Sequence, residues 1–250
     1  MDLPHAALLT AAALAAGALN AIAGGGSFLT FPALVFTGVP PIVANATSAL
    51  AVSPGYLGST LGLRRELGAL PAARLRREAL LAAGGGVLGA LLLLVTPPAA
   101  FRALVPWLLA LATAVFVAGP HLVRRLTRGD ARDHPRARAW GLLAVAVYGG
   151  YFNGGLGILL MALYAATGET DVHRANALKN LNSLVLSLLS VATFALAGAI
   201  AWGPALLMAA AATAGGYLGA RGARRLPARA VRAVVIVTGL AMTAAFAWRG

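Results

Sequence analysis

Between His5 and Arg64 the chain carries no charged side chain, and between Lys179 and Arg221 it again carries none. A bilayer crossing takes roughly 20 consecutive apolar residues, so each of these stretches is long enough for more than one crossing. The rest of the chain agrees, because 60% of its 250 residues are hydrophobic, only 11% are charged and the mean hydropathy is +0.81. Too little charge is present to cover a water-facing surface, and the chain reads as a polytopic membrane protein. The first residues, MDLPHAALLTAAALAAGALNAIAGGGS, lack a basic n-region and run on into more apolar sequence. They read as mature structure and not as a cleaved signal peptide.

The formal net charge of +13 would suggest nucleic-acid binding in a soluble domain, but the 20 basic residues gather in short connections between apolar runs. That is a topology signal, and no basic patch with interleaved aromatics accompanies it. Nucleic acid is therefore not an expected partner. With no cysteine, the chain has no disulfide, thiolate metal site or cysteine nucleophile.

Apolar runs fall near 5–37, 44–62, 79–96, 101–120, 139–167, 175–197, 204–222 and 230–248. Six of them look like simple helices. The first and fifth are interrupted, by Gly24, Gly25 and Gly26 and by Gly149, Gly150, Gly154, Gly155 and Gly157, and broken or re-entrant helices are the natural reading. These two segments occupy corresponding places in an internal repeat with an offset of about 130 residues. Gly85 to Gly89 pairs with Gly215 to Gly219, and Ala44-Asn45-Ala46 with Ala175-Asn176-Ala177. The G-xxx-G spacings at Gly58–Gly62 and Gly85–Gly89 also suit close helix packing.

Arginine counts suggest how the halves are related. The connection RRELGALPAARLRRE holds five arginines and its counterpart AGAIAWGP none, whereas TPPAAFR holds one and its counterpart RGARRLPARAVR five. Since cytoplasmic loops collect Lys and Arg, residues 64–78, 124–138 and 221–232 should all be cytoplasmic. Eight plain crossings, the alternative topology, do not give that pattern. It follows if 139–167 enters from the cytoplasm and returns to it while 5–37 does the same from outside. The expected fold is an all-α polytopic membrane protein of about eight hydrophobic segments. It has two inverted-topology repeats, each a Gly-broken or re-entrant segment plus three transmembrane helices. The expected divisions are 1–123, a basic cytoplasmic linker 124–138, and 139–250.

Polar groups in a bilayer core are costly, which makes them candidates for function. The first half offers Asn20, Ser27, Thr30, Asn45, Thr47, Ser48 and Ser53, and the second Asn153, Asn176, Lys179, Asn180, Asn182 and Ser183. Serine and threonine hydroxyls in helices commonly bond their own i−4 carbonyl or a neighbouring helix. A glycine break, by contrast, exposes backbone N–H groups at the start of a half-helix, where the dipole favours an anion. The expected substrate-binding set is Asn20, Gly25, Gly26, Ser27, Asn45, Thr47, Ser48, Asn153, Gly154, Gly155, Asn176, Lys179 and Asn180. Lys179 either balances the charge of an anion or takes part in proton coupling, or else it snorkels to the headgroups from the cytoplasmic end of its helix. Glu169, Asp171 and His173 read as loop residues. No acidic residue falls within any expected span, which favours an anionic substrate over a cationic one.

The segments AGGGSFLTFPALVFTGVPPIVANATSALAVSPGYLG and NGGLGILLMALYAATGETDVHRANALKNLNS resemble the duplicated signature of the sulfite exporter TauE/SafE family, also called the 4-toluene sulfonate uptake permease family. The signature is a Gly-rich break, a Pro about six residues on, a short loop and an Ala-Asn/Thr-rich helix start. The first copy has Pro32 at the Pro position and the second has Met161. The resemblance covers nearly the whole chain. It implies secondary transport of sulfite, sulfonate, thiosulfate or a related anion across a bacterial inner membrane, without ATP hydrolysis and with no cofactor. The partners that go with this reading are the small anion, a coupling proton or sodium ion, the lipid bilayer and a second copy of the chain in a homodimer. The chain shows no HExxH, GxGxxG after a strand or GxxxxGK[ST], so an intramembrane enzyme is not expected. A membrane-embedded assembly partner and a passive anion channel stay open as alternatives.

Overall fold

A computed structural model describes residues 2–22, 25–126, 133–222 and 228–249. Gly24, residues 127–132 of the basic linker and residues 223–227 of the last basic connection lie outside the described residues. The secondary structure of the described residues is helical throughout. The order is α1 (Leu3–Ile22), α2 (Ser27–Phe36), α3 (Pro41–Gly62), α4 (Arg64–Gly68), α5 (Ala72–Val95), α6 (Pro98–Leu126), α7 (Pro135–Tyr151), α8 (Leu156–Ala166), α9 (Val172–Leu196), α10 (Trp202–Gly222) and α11 (Ala228–Arg249). Leu3–Asn20, Ala72–Val95, Pro98–Gly119 and Val172–Leu196 are long and apolar enough to cross a membrane, and shorter apolar helices accompany them.

The first and fifth apolar runs are each divided in two, at the glycines. Gly25 has φ +95° and Gly155 φ +72°, a left-handed backbone that glycine adopts without Cβ strain and that ends one helical direction. The second pieces, α2 with 10 residues and α8 with 11, rise only about 15 Å, half of a hydrocarbon core about 30 Å thick. Both end at a second left-handed glycine, Gly38 and Gly168. The two pairs of glycines share one spacing, so the position corresponding to Pro32 is Ala162, and the earlier pairing with Met161 is off by one. The N–H of His134, just before α7, donates to Thr167 O just after α8 at 3.2 Å. The α7–α8 pair therefore leaves one end of the bundle and comes back to it.

Packing is interleaved between the halves. α1 lies along α10 and α5 along α7, while α3 packs on α9 and α6 on α11. Glycine makes the two closest of these contacts. A Cβ at Gly17 would run into Ala212 O, one at Gly215 into Leu14 O, one at Gly89 into Val147 O and one at Gly150 into Gly86 O. The expected packing role of Gly85–Gly89 is found here. Gly58 and Gly62 differ, because a Cβ at either would meet nothing within 4 Å; they pack no helix within the chain. α3 and α9 pass in opposite senses, since Thr47 near the start of α3 meets Ala201 beyond the end of α9.

Phe28, Phe31, Phe101, Phe116 and Phe194 fill the larger apolar core, and Leu142, Leu160, Tyr164 and Leu186 a second one. Many leucines face outward, and Trp107, Trp140, Trp202 and Trp248 are all exposed. A surface that meets lipid tails needs no polar cover, and tryptophan favours its edges.

Candidate functional site

A cavity of about 470 Å³ lies between α1, α3, α9 and α10, beside the two breaks. Asn20, Gly25, Tyr56, Gly157, Lys179 and Asn180 contribute to its wall. Lys179 sits two turns inside α9, and among the described lining residues it carries the one charged side chain. Among the described residues no hydrogen bond or ion pair holds its ammonium. Its stem runs past Gly157, where a Cβ would be in ordinary contact at 3.6 Å from Lys179 Cδ. Of the two readings of Lys179, the cavity wall agrees with the inward one.

The other sequence-marked residues hold the breaks together. Asn20 Oδ1 accepts the N–H of Gly26 at 2.8 Å, so one donor at the start of α2 is already satisfied by the chain. Gly26 must be glycine for this, as a Cβ would come to 2.7 Å from Ala16 O. Ser27 Oγ donates to Asn153 O at 3.1 Å, joining the first break to the second. Asn45 Nδ2 donates to Tyr151 O at 3.0 Å, and the Tyr148 hydroxyl to Gly154 O at 2.8 Å. Thr47 Oγ1 accepts the Ala201 N–H at 3.0 Å, and the Thr30 and Ser48 hydroxyls meet at 2.6 Å. Asn180 Nδ2 donates to Asn176 O at 3.0 Å, so Asn176 supports a cavity residue without lining the cavity. Ser53 takes the local option and bonds Leu50 O. Gly155 is the N-cap of α8.

Sequence reasoning missed Tyr56, half-buried on the cavity wall, and also Ser59, Thr213 and Tyr217 there. Nothing local marks them, because they come to the cavity only through helix packing. Three buried polar atoms near the middle of the bundle, Asn153 Oδ1, Ser183 Oγ and Ser187 Oγ, have no partner among the described residues.

A second polar cluster overturns one expectation. α5 begins at Ala72, not at Ala79, so Glu78 lies two turns inside an apolar helix and is 4% exposed. The arginines around it extend the helix because Ala, Leu, Arg and Glu are all good helix formers. Glu78 Oε2 accepts from the Tyr164 hydroxyl at 2.7 Å and from Asn182 Nδ2 at 3.3 Å. Glu78 Oε1 pairs with Arg74 Nε at 2.9 Å and Arg138 Nε at 3.4 Å. Arg74 also reaches Glu169 at 3.0 Å, and Arg138 reaches Asp133 at 2.8 Å. A buried carboxylate is therefore present within a span, where none was expected. Asp171 is the N-cap of α9, accepting from the N–H groups of His173 and Arg174, and His173 lies in the first turn of that helix and not in a loop.

Two interrupted helices, their breaks joined by a hydrogen bond beside a cavity that carries a few polar groups, in a bundle whose outer face is apolar, define a multi-pass membrane transporter. Residues 9–246 match the family described as Sulfite exporter TauE/SafE, and the chain belongs to that family. It is 28% identical over 241 residues to a probable membrane transporter protein, ORF9, of Sinorhizobium sp, covering 94% of this chain and 90% of that one. A probable membrane transporter protein of Haemophilus influenzae is 28% identical over 241 residues, covering 95% and 92%. The probable membrane transporter protein YfcA of Escherichia coli K12 is 25% identical over 247 residues, covering 93% and 86%. No solved structure matches the chain. The protein is a multi-pass protein of the bacterial inner membrane.

Proposed function

We propose that the chain is a secondary transporter that carries a small sulfur oxyanion, sulfite, thiosulfate or a small sulfonate, through the cavity at Lys179 by alternating access. The single observation that carries this reading is Lys179, a cation unpaired among the described residues, on the wall of a cavity whose other described polar groups, among them the Asn20 and Asn180 amides and the Tyr56 hydroxyl, are neutral. An oxyanion supplies the missing charge and accepts hydrogen bonds from those donors. The family description supports the sulfur chemistry.

An inverted repeat supplies the two access states. The packing of α1 on α10 mirrors that of α7 on α5, and the antiparallel α3 and α9 are each other's counterparts. With the basic end in the cytoplasm, the Lys179 cavity faces inward. Shifted by the repeat offset, Val52, Tyr56 and Ser59 on its wall correspond to Ser183, Ser187 and Ser190. Ser190 bonds Gly86 O across a closed contact, and Ser183 and Ser187 are buried without partners. The outward-facing cavity would form there, and those hydroxyls would then be wetted. A proton or sodium gradient would drive the cycle, and the transporting unit would be a monomer or a homodimer.

The test is uptake of sulfite, thiosulfate and a small sulfonate into proteoliposomes, with and without an imposed proton or sodium gradient. Gradient-dependent flux that is lost in Lys179→Gln supports the reading. Flux that persists in Lys179→Gln removes Lys179 as the anion's partner, and flux indifferent to both gradients makes the protein a channel.

A further inference from the structure

Between the first turns of α5 and α7, at the basic end of the bundle, lies a second cavity of about 300 Å³. Arg74, Arg77, Glu78, Leu81, Pro135 and Arg138 line it. The one carboxylate on this wall is already taken by the Nε atoms of Arg74 and Arg138. Arg74 Nη1 goes to Glu169 and Arg138 Nη1 to Asp133, and the wall still holds guanidinium donors beyond these. Among the described residues, Arg74 Nη2 is buried with no partner, and Arg77 is exposed with neither an ion pair nor a hydrogen bond. A guanidinium N–H withdrawn from water and left unpaired costs free energy that a bound oxyanion would return.

We infer that this cavity binds the phosphate group of an anionic phospholipid from the cytoplasmic leaflet. Guanidinium groups match phosphate oxygens in planar, charge-assisted pairs. The lipid source follows from what borders the cavity. Leu80 and Trp140, next in sequence to the lining residues Leu81 and Ala139, are 74% and 72% exposed. They offer an apolar outer wall for acyl chains and an aromatic ring at headgroup depth. A basic pocket between helices on the cytoplasmic side is the setting in which lipid headgroups are held. The bound lipid joins α5 of one half to α7 of the other at their starts.

Arg77 is the residue to change, because Arg74 and Arg138 hold Glu78 and their loss would disturb the fold. The protein, stripped of lipid in detergent, is titrated with phosphatidylglycerol, phosphatidylcholine or inorganic phosphate. Retained lipid is counted by native mass spectrometry and stability is followed by thermal unfolding. Arg102→Gln, at an exposed arginine on α6, controls for bulk charge. The expected result is retention of phosphatidylglycerol over phosphatidylcholine, with a raised unfolding temperature, and affinity about fivefold weaker in Arg77→Gln but not in Arg102→Gln. Equal weakening in the two variants, no preference for phosphatidylglycerol, or the same stabilisation by inorganic phosphate alone would each overturn the assignment.

Discussion

Ser27 Oγ donates a 3.1 Å hydrogen bond to the main-chain oxygen of Asn153, so the start of one half-helix is tied to the turn that precedes the other. The bond is buried and crosses from the first break to the second. The two breaks are thereby held against each other by a side chain of one and the backbone of the other. Four predictions follow from this arrangement and the packing around it.

If the outward cavity forms around Ser183 and Ser187, a cysteine at either position is shielded in the inward-facing state. The chain has no cysteine of its own, so single-cysteine variants report cleanly. Ser187→Cys should react with a membrane-impermeant thiol reagent from outside only when substrate and gradient are present. Ser59→Cys, on the open cavity, should react from the cytoplasmic side at rest. Equal reactivity of Ser187→Cys under both conditions would remove it from the pathway.

Glycine contacts predict a split among apparently similar substitutions. Gly17→Ala and Gly89→Ala force α1 from α10 and α5 from α7, and each should cost about 1–3 kcal/mol, the usual range for overpacking. Gly62→Ala meets open space and should leave stability unchanged or slightly raised. Unfolding temperatures in one detergent compare all three, and a destabilised Gly62→Ala would contradict the open contact.

The Glu78 cluster predicts an ordering. Glu78→Ala leaves the Nε atoms of Arg74 and Arg138 without their carboxylate, while Glu169 and Asp133 still hold one Nη of each, and loss of one partner of a buried pair costs up to roughly 3–5 kcal/mol. Tyr164→Phe removes one hydroxyl and leaves the ion pairs in place, a loss of about 1–2 kcal/mol. Denaturant unfolding that ranks Tyr164→Phe as the more damaging would show that the hydroxyl, not the charge, organises this cluster.

Asp171 gives a pH signature. The Arg174 N–H, with the His173 N–H and the Arg174 charge behind it, holds its carboxyl below the ordinary value of 3.8. Since the folded value is the depressed one, the stabilising effect is complete above pH 3.8 and is lost as pH falls through the folded value. Asp171→Ala should therefore unfold at a lower temperature than the parent at pH 7, and the gap should close below pH 3.8. A gap that stays constant with pH would mean that the carboxylate charge contributes nothing.

What could be read in advance, and what could not, divides along physical lines. Gly25 and Gly155 were legible because a left-handed turn in an apolar run selects glycine, and Lys179 because a lone charge in a span is costly. The counterpart of Pro32 was misplaced by one because apolar neighbours such as Met161 and Ala162 carry no registration mark; the left-handed glycines at 38 and 168 supply it. Glu78 escaped because an arginine run looks like a loop, whereas long basic side chains let a helix continue through the interface. Tyr56, Thr213 and Tyr217 could not be found by local pattern at all, since α3 and α10 meet the breaks only through tertiary contacts. Gly58 was read as a packing residue although it borders a cavity, because spacing alone does not distinguish a close neighbour from an empty one.

The interleaving of α1 with α10 and of α5 with α7 bears on how such a protein is made. Gly17 enters the membrane early in synthesis, but the Ala212 and Gly216 backbone it packs against emerges near the end. Until then α1 has only lipid and its immediate successors for company, and the short α2 has too few residues to hold a membrane position by itself. Each half thus waits on the other, and a chain cut short between them leaves its glycine seams bare.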